Sequence, residues 1–298
     1  MLRKWLFGTV FSSLAGAAAA EVPKVATDIP PVHALVSRVM DGAGEPLLIL
    51  PVGASPHVYA MRPSEAAALE GSDVVFWVGE ELTPWLTGAL STLAGDALTV
   101  PLLQAEGVER RPYRWGGEAD DGHGHSHAAG ATDPHAWFDP EAARVWLGVI
   151  AETLADADPE NAALYAANAE AAQADLDDLI TELSGTLAGA SEADLIVYHD
   201  ALQYFEPRFG LTAIGAMTNG EAAPGPRQLQ ALRELAAGTP HACIVMEPIA
   251  TPGLGQAVAE GSGAKIVEID TMGRELTAGP GYYGDLMRSI AGGLAGCS

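Results

Sequence analysis

Glu160-Asn-Ala-Ala-Leu-Tyr-Ala-Ala-Asn-Ala-Glu-Ala-Ala-Gln-Ala-Asp-Leu-Asp-Asp-Leu-Ile-Thr-Glu-Leu183 holds neither glycine nor proline and is dense in Ala, Glu, Asp and Leu. With its flanks, Pro159 to Leu187, it predicts one unbroken helix of roughly 40 Å at ~1.5 Å per residue. On both sides of it, short apolar runs alternate with helical patterns. Pro46-Leu47-Leu48-Ile49-Leu50-Pro51, Asp73 to Val78, Leu195 to Tyr198, Cys243 to Met246 and Lys265 to Ile269 read as buried strands. Val32 to Met40, Ser64 to Ala68, Pro140 to Ala155, Gln228 to Ala237 and Gly253 to Glu260 read as helices, with Asp139 as an N-cap ahead of Pro140. This alternation implies α/β layers and mostly parallel sheets. The long helix, 159–188, then reads as a rigid connector between an N-terminal lobe, 21–158, and a C-terminal lobe, 189–298. A ligand would sit in the cleft between lobes, outside the carboxyl ends of strands.

Residues 1–20 read as a cleaved secretory signal: Arg3 and Lys4 form a basic start, Trp5 to Leu14 an apolar centre, and Ala18-Ala19-Ala20 a small-residue cleavage site. A membrane anchor would need roughly 20 apolar residues, and Ser12, Ser13 and Gly16 interrupt this run. The expected location is therefore the periplasm. The formal net charge is −24 at pH 7, and loss of the basic leader makes the chain more acidic still. That balance disfavours nucleic acid and anionic membranes; it serves solubility first and would also attract divalent cations. Composition is 48% hydrophobic, enough to build real cores and to set disorder aside. Cys243 and Cys297 are the two cysteines. In an oxidising compartment they would pair and fasten the C-terminal tail to a core strand; no CxxC motif is present, although a thiol pair with another role stays open.

Eight histidines occur, and three share a context. His57 follows a predicted strand in Gly53-Ala-Ser-Pro-His57; His135 lies in Asp133-Pro-His135-Ala-Trp137, just ahead of a helix; His199 ends a predicted strand and leads into Asp200. A single histidine most often serves a loop or a core hydrogen bond. Three at element ends facing one cleft suggest a metal, since zinc commonly takes three imidazole nitrogens plus one oxygen. Asp270 is the candidate oxygen donor, with a turn cap as its alternative role. No short-range zinc-finger or HExxH spacing occurs, so only the tertiary fold would assemble this set. The stretch 110–132 is an irregular, exposed insert carrying His123, His125 and His127, a composition suited to loose metal binding. His33 and His241 match no such context and read as structural. Glu247 follows a buried strand without a nucleophile partner and reads as framework.

Gly-Ala-Ser-Pro-His57 with Arg62-Pro63-Ser64, Asp-Pro-His135-Ala-Trp137, Tyr198-His199-Asp200, Met246-Glu247-Pro248, Asp270 before Met-Gly273 and the Cys243 and Cys297 pair together carry a resemblance. The chain resembles the periplasmic zinc-binding receptors of ABC transporters, the ZnuA type, over nearly all its mature length. That resemblance implies two (β/α) lobes, Zn2+ held between them, delivery to a membrane permease, and a monomer without enzymatic activity. Manganese relatives carry a carboxylate where this chain has His199, which agrees with the preference of harder manganese for oxygen. Many zinc relatives carry an acidic residue before the first histidine; Pro56 stands there in this chain, leaving Asp270, water or an insert donor for the fourth position. His123, His125 and His127 resemble the family's variable histidine-rich loop, an auxiliary metal binder. Two other readings share the same three histidines: a periplasmic zinc chaperone or buffer, and a zinc hydrolase.

Overall fold

The computed structural model describes residues 21–115, 131–218 and 224–298. The leader, 1–20, and His123, His125 and His127 lie outside the described residues. Among the described residues no helix is long and apolar enough to cross a membrane.

The first half runs β1 (Val25–Thr27), α1 (Pro30–Val39), β2 (Leu47–Leu48), α2 (Pro63–Glu70), β3 (Val74–Trp77), α3 (Pro84–Leu93), β4 (Leu98–Pro101), α4 (Pro140–Ala157). The long α5 (Ala162–Leu187) follows, then β5 (Asp194–His199), α6 (Phe205–Phe209), β6 (Thr212–Thr218), α7 (Pro226–Gly238), β7 (Ala242–Met246), α8 (Leu254–Ala259), β8 (Lys265–Glu268) and α9 (Tyr282–Leu294). Proline opens α1, α2, α3, α4 and α7, where its missing N–H is no loss and its fixed φ suits the first turn. Asp139 caps α4, its side chain accepting from the Glu141 amide at 3.0 Å.

Two four-stranded sheets form with the same order, β2-β1-β3-β4 and β6-β5-β7-β8, every pairing parallel. In each, the chain leaves the first strand to one side and returns to the other, so β1 and β5 sit where the order reverses. Strand alternation divides the hydrophobic residues between layers. Val74 and Phe76 of β3, Leu195 and Val197 of β5, and Cys243 and Val245 of β7 face the main core. Val75 and Trp77 pack outward beneath α2 and α3, and Ile196, Ile244 and Met246 outward with α7 and α8.

The long helix is amphipathic: Tyr165, Ala169, Ala172, Leu176, Leu179, Leu183 and Leu187 are its buried residues, a stripe spaced by three and four. It packs on α4, α1 and α9, and α1 also packs on α9. Helices from both halves therefore share one continuous core with α5, and the connector is seated in that core along its length. The Cys243–Cys297 disulfide forms, with Cα atoms 5.6 Å apart, and ties the chain end to β7.

Three strands lie outside the sequence expectation. β1 spans only three residues, β4 is half exposed at Leu98, and β6 is interrupted by Gly215, so none shows a long apolar run. The expected strand 46–51 yields only Leu47–Leu48, although the Ile49 and Leu50 amides continue the ladder to the Thr27 and Asp28 carbonyls at 2.9 Å. The insert over 110–132 also needs a correction at its ends. Pro112 bridges Thr132 in antiparallel fashion, the Tyr113 amide bonds the Ala131 carbonyl at 3.0 Å, and the Asp133 amide bonds Arg111 at 2.8 Å. A two-stranded root therefore holds both ends, because backbone groups drawn against the protein surface require partners.

Candidate metal centre

His199 is the last residue of β5, at the point of strand reversal in the second sheet. His135 begins a one-turn helix, Ala136–Phe138, that leads through the Asp139 cap into α4. His57 stands on the loop after β2, which Gly53 turns with φ 79°. A Cβ on Gly53 would meet the Arg274 side chain at 3.0 Å, so glycine answers both the backbone conformation and the close approach of the two halves. The Pro56 carbonyl accepts from the Trp85 indole N–H at 2.8 Å, which fixes the segment next to His57.

The three imidazoles converge. One nitrogen from each of His57, His135 and His199 lies within 4.8 Å of the others. Ring centroids are 5.3 Å apart for His57 and His135, 5.6 Å for His57 and His199, and 5.1 Å for His135 and His199. The Nε2 atoms of His135 and His199 are 3.3 Å apart. Two nitrogens each ~2.05 Å from one tetrahedral zinc stand roughly 3.3 Å from one another, so this pair already has the spacing of a shared ion.

Protonation favours the same use. Asp133, fully buried, places Oδ1 2.6 Å from His135 Nδ1 and 3.0 Å from the His135 amide. A carboxylate oxygen at this position accepts from an Nδ1–H, the tautomer in which Nε2 presents its lone pair to the cavity. Gln203 donates to Asp133 Oδ2 at 2.9 Å, and the Tyr204 hydroxyl donates to the Asp133 carbonyl at 2.8 Å.

The rings line a cavity of about 310 Å³ together with Trp137, Glu247 and Met272. At ~30 Å³ per water, that admits an ion with several of its waters. Burial pushes Glu247 up to about 7, against the opposing effects of the Thr271 hydroxyl, which donates to it at 2.8 Å, and of His135. Asp270 is not among the converging donors. Its two oxygens accept from the Met272 amide at 3.0 Å and the Arg274 amide at 2.6 Å, a turn cap. His33, in α1, bonds the Pro46 carbonyl at 3.2 Å and takes no part in the cluster.

Sequence reasoning missed Asp133 and Gln203 and assigned Glu247 to the framework. Asp133 was findable, because a ligating histidine needs a partner at its other nitrogen and an acidic residue lies two positions before His135. Nothing local marks Gln203.

The family model described as zinc-uptake complex component A, periplasmic, matches residues 25–297. A high-affinity zinc uptake system protein of Paracoccus denitrificans is 38% identical, with 94% of this chain and 93% of that protein covered. Its counterpart in Brucella abortus is 36% identical, covering 98% and 96%. Among solved structures, a solute-binding protein of Pseudomonas aeruginosa in complex with Mn2+ superposes with a TM-score of 0.80 at 20% identity, covering 93% of this chain and 98% of that one; at that identity the likeness speaks for the fold.

Proposed function

Because this chain belongs to the family of periplasmic zinc-uptake components, we propose that it is a receptor that captures Zn2+ in the periplasm and delivers it to the permease of an ABC importer. The observation that carries this reading is the convergence of three imidazoles on one cleft cavity, with the Asp133 carboxylate 2.6 Å from the far nitrogen of His135. Zinc is cargo, so the protein binds and releases without making or breaking covalent bonds.

His57, His135 and His199 are the proposed nitrogen ligands, and neutral imidazoles favour zinc over manganese. Asp270 is the proposed oxygen donor: each carboxylate oxygen keeps lone-pair capacity beyond the amide bond it accepts, and water is the competing occupant. His57 and His135 belong to 21–158, His199 and Asp270 to 189–298, so the ion would join the two proposed lobes. His123, His125 and His127 are proposed as an auxiliary set that would hold further zinc more weakly than the three converging imidazoles. Residues 1–20 would direct export and be removed, and the mature chain would act as a monomer.

Isothermal titration tests the reading. Wild-type protein should take one zinc tightly, and the double variant His57→Ala/His135→Ala should lose that event; unchanged affinity in the double variant would refute the ligand assignment. Replacing 116–130 by a short Gly-Ser link should remove only the weaker zinc equivalents.

A further inference from the structure

The root of the insert meets the opposite half of the molecule at Asp200, the chain neighbour of His199, and at Gln203, which bonds the Asp133 partner of His135. Arg114 Nε lies 3.2 Å from Asp200 Oδ2, and its two terminal nitrogens lie 2.7 and 2.8 Å from the Glu206 carboxylate. A further contact joins Arg114 Nη2 to Asp200 Oδ1. Glu206 Oε2 also accepts from the Ala213 amide at 3.0 Å. The guanidinium lies 4.5 Å from the Trp115 ring centroid. Side-chain exposure is 25% for Arg114, 10% for Asp200 and 4% for Glu206. Among the described ion pairs, Arg114 is the cation of both carboxylates. Next to it, the Arg111 amide donates to the Tyr204 hydroxyl at 2.9 Å, and Gln203 donates to both the Pro112 carbonyl at 3.2 Å and Asp133 at 2.9 Å.

Asp200 is the neighbour of His199 in the chain, and Asp133 is the partner of the His135 ring. Resting on the zinc-receptor reading, we propose that Arg114 is a positioning residue for the metal centre: it holds Asp200, and with it His199, in the register at which the His135 ring meets it. The insert then has a structural use at its root separate from the histidines it carries. Without the guanidinium, two buried carboxylates would face one another uncompensated. Rotation of Asp200 away from Glu206 would relieve that repulsion and, through the adjoining His199, would pull on the end of β5. A ring shift of about 1 Å breaks coordination whose bond lengths are defined to ~0.2 Å.

Three variants of the full chain test this: Arg114→Gln, Arg114→Lys, and Arg208→Gln as control. Arg208 also crosses between the halves, to Asp139 at 3.0 and 3.2 Å, but touches no residue adjacent to a ligand. The readouts are zinc affinity by chelator competition and the visible ligand-field bands of Co2+-loaded protein, which report ligand geometry and which a loss of global stability would not move. Arg114→Gln should weaken zinc roughly 10- to 100-fold, the range for partners outside the ligand set, and shift the Co2+ bands. Arg114→Lys keeps the charge without the planar fork and should fall between it and wild type. Arg208→Gln should match wild type in both readouts. Wild-type zinc affinity and Co2+ bands in Arg114→Gln would overturn the proposal, as would equal weakening by Arg208→Gln. Should Arg114→Gln not fold, unaltered affinity and bands in Arg114→Lys would overturn it. Wild-type protein that took no zinc would instead refute the receptor reading.

Discussion

Asp133→Asn changes one oxygen to an NH2 group at constant shape in a fully buried position. Asp133 Oδ1 receives two N–H groups, from the His135 amide at 3.0 Å and from its ring at 2.6 Å, while Oδ2 receives the Gln203 amide at 2.9 Å. Asparagine cannot serve all three. With its oxygen toward His135, its NH2 opposes the NH2 of Gln203, donor against donor. With its NH2 toward His135, ring Nδ1 must become an acceptor, the proton moves to Nε2, and the lone pair meant for zinc is lost. Either arrangement withdraws the negative charge that raises the basicity of the ring. Losses at partners of this kind run ~10- to 100-fold in metal affinity, or about 1.4–2.8 kcal/mol at ~1.4 kcal/mol per tenfold. Competition against a chromogenic zinc chelator at neutral pH measures the affinity, and 15N chemical shifts of the metal-free protein report which ring nitrogen of His135 is protonated. An Asn variant with wild-type affinity would refute the argument that Asp133 prepares this ligand.

The Cys243–Cys297 bridge closes a loop with a sequence separation of 54, so Cys243→Ser/Cys297→Ser should cost about 4 kcal/mol on the chain-entropy scale, read by urea unfolding; a loss under ~1 kcal/mol would contradict it. Burial lowers His33 below its ordinary range, against the Pro46 carbonyl and Glu45, which raise it. Below pH ~6.5 the unfolded chain therefore binds the proton more readily, and stability should fall as pH drops through that window. His33→Gln, followed by urea unfolding of metal-free protein, should flatten that decline; superimposable pH profiles would count against the burial account.

What the sequence determined by itself is local. A run of Ala, Leu and Glu without glycine or proline specifies α5 because each residue favours the helix on its own account. Asp139 ahead of Pro140 marks the start of α4 for the same reason, and the surroundings of His57, His135 and His199 single those three out of eight. Strands β1, β4 and β6 escaped because a three-residue, half-exposed or glycine-interrupted segment acquires its strand character only from the neighbour it pairs with. The convergence of the histidines and the links from Arg114 to Asp200 and from Gln203 to Asp133 join groups between 64 residues (His135 and His199) and 142 residues (His57 and His199) apart. Polar pairing over such separations leaves no periodic trace along the chain, because each partner is chosen by distance in space. The tertiary structure alone decided that the Asp133 carboxylate would meet the His135 ring and that the Arg114 guanidinium would meet Asp200, the neighbour of His199.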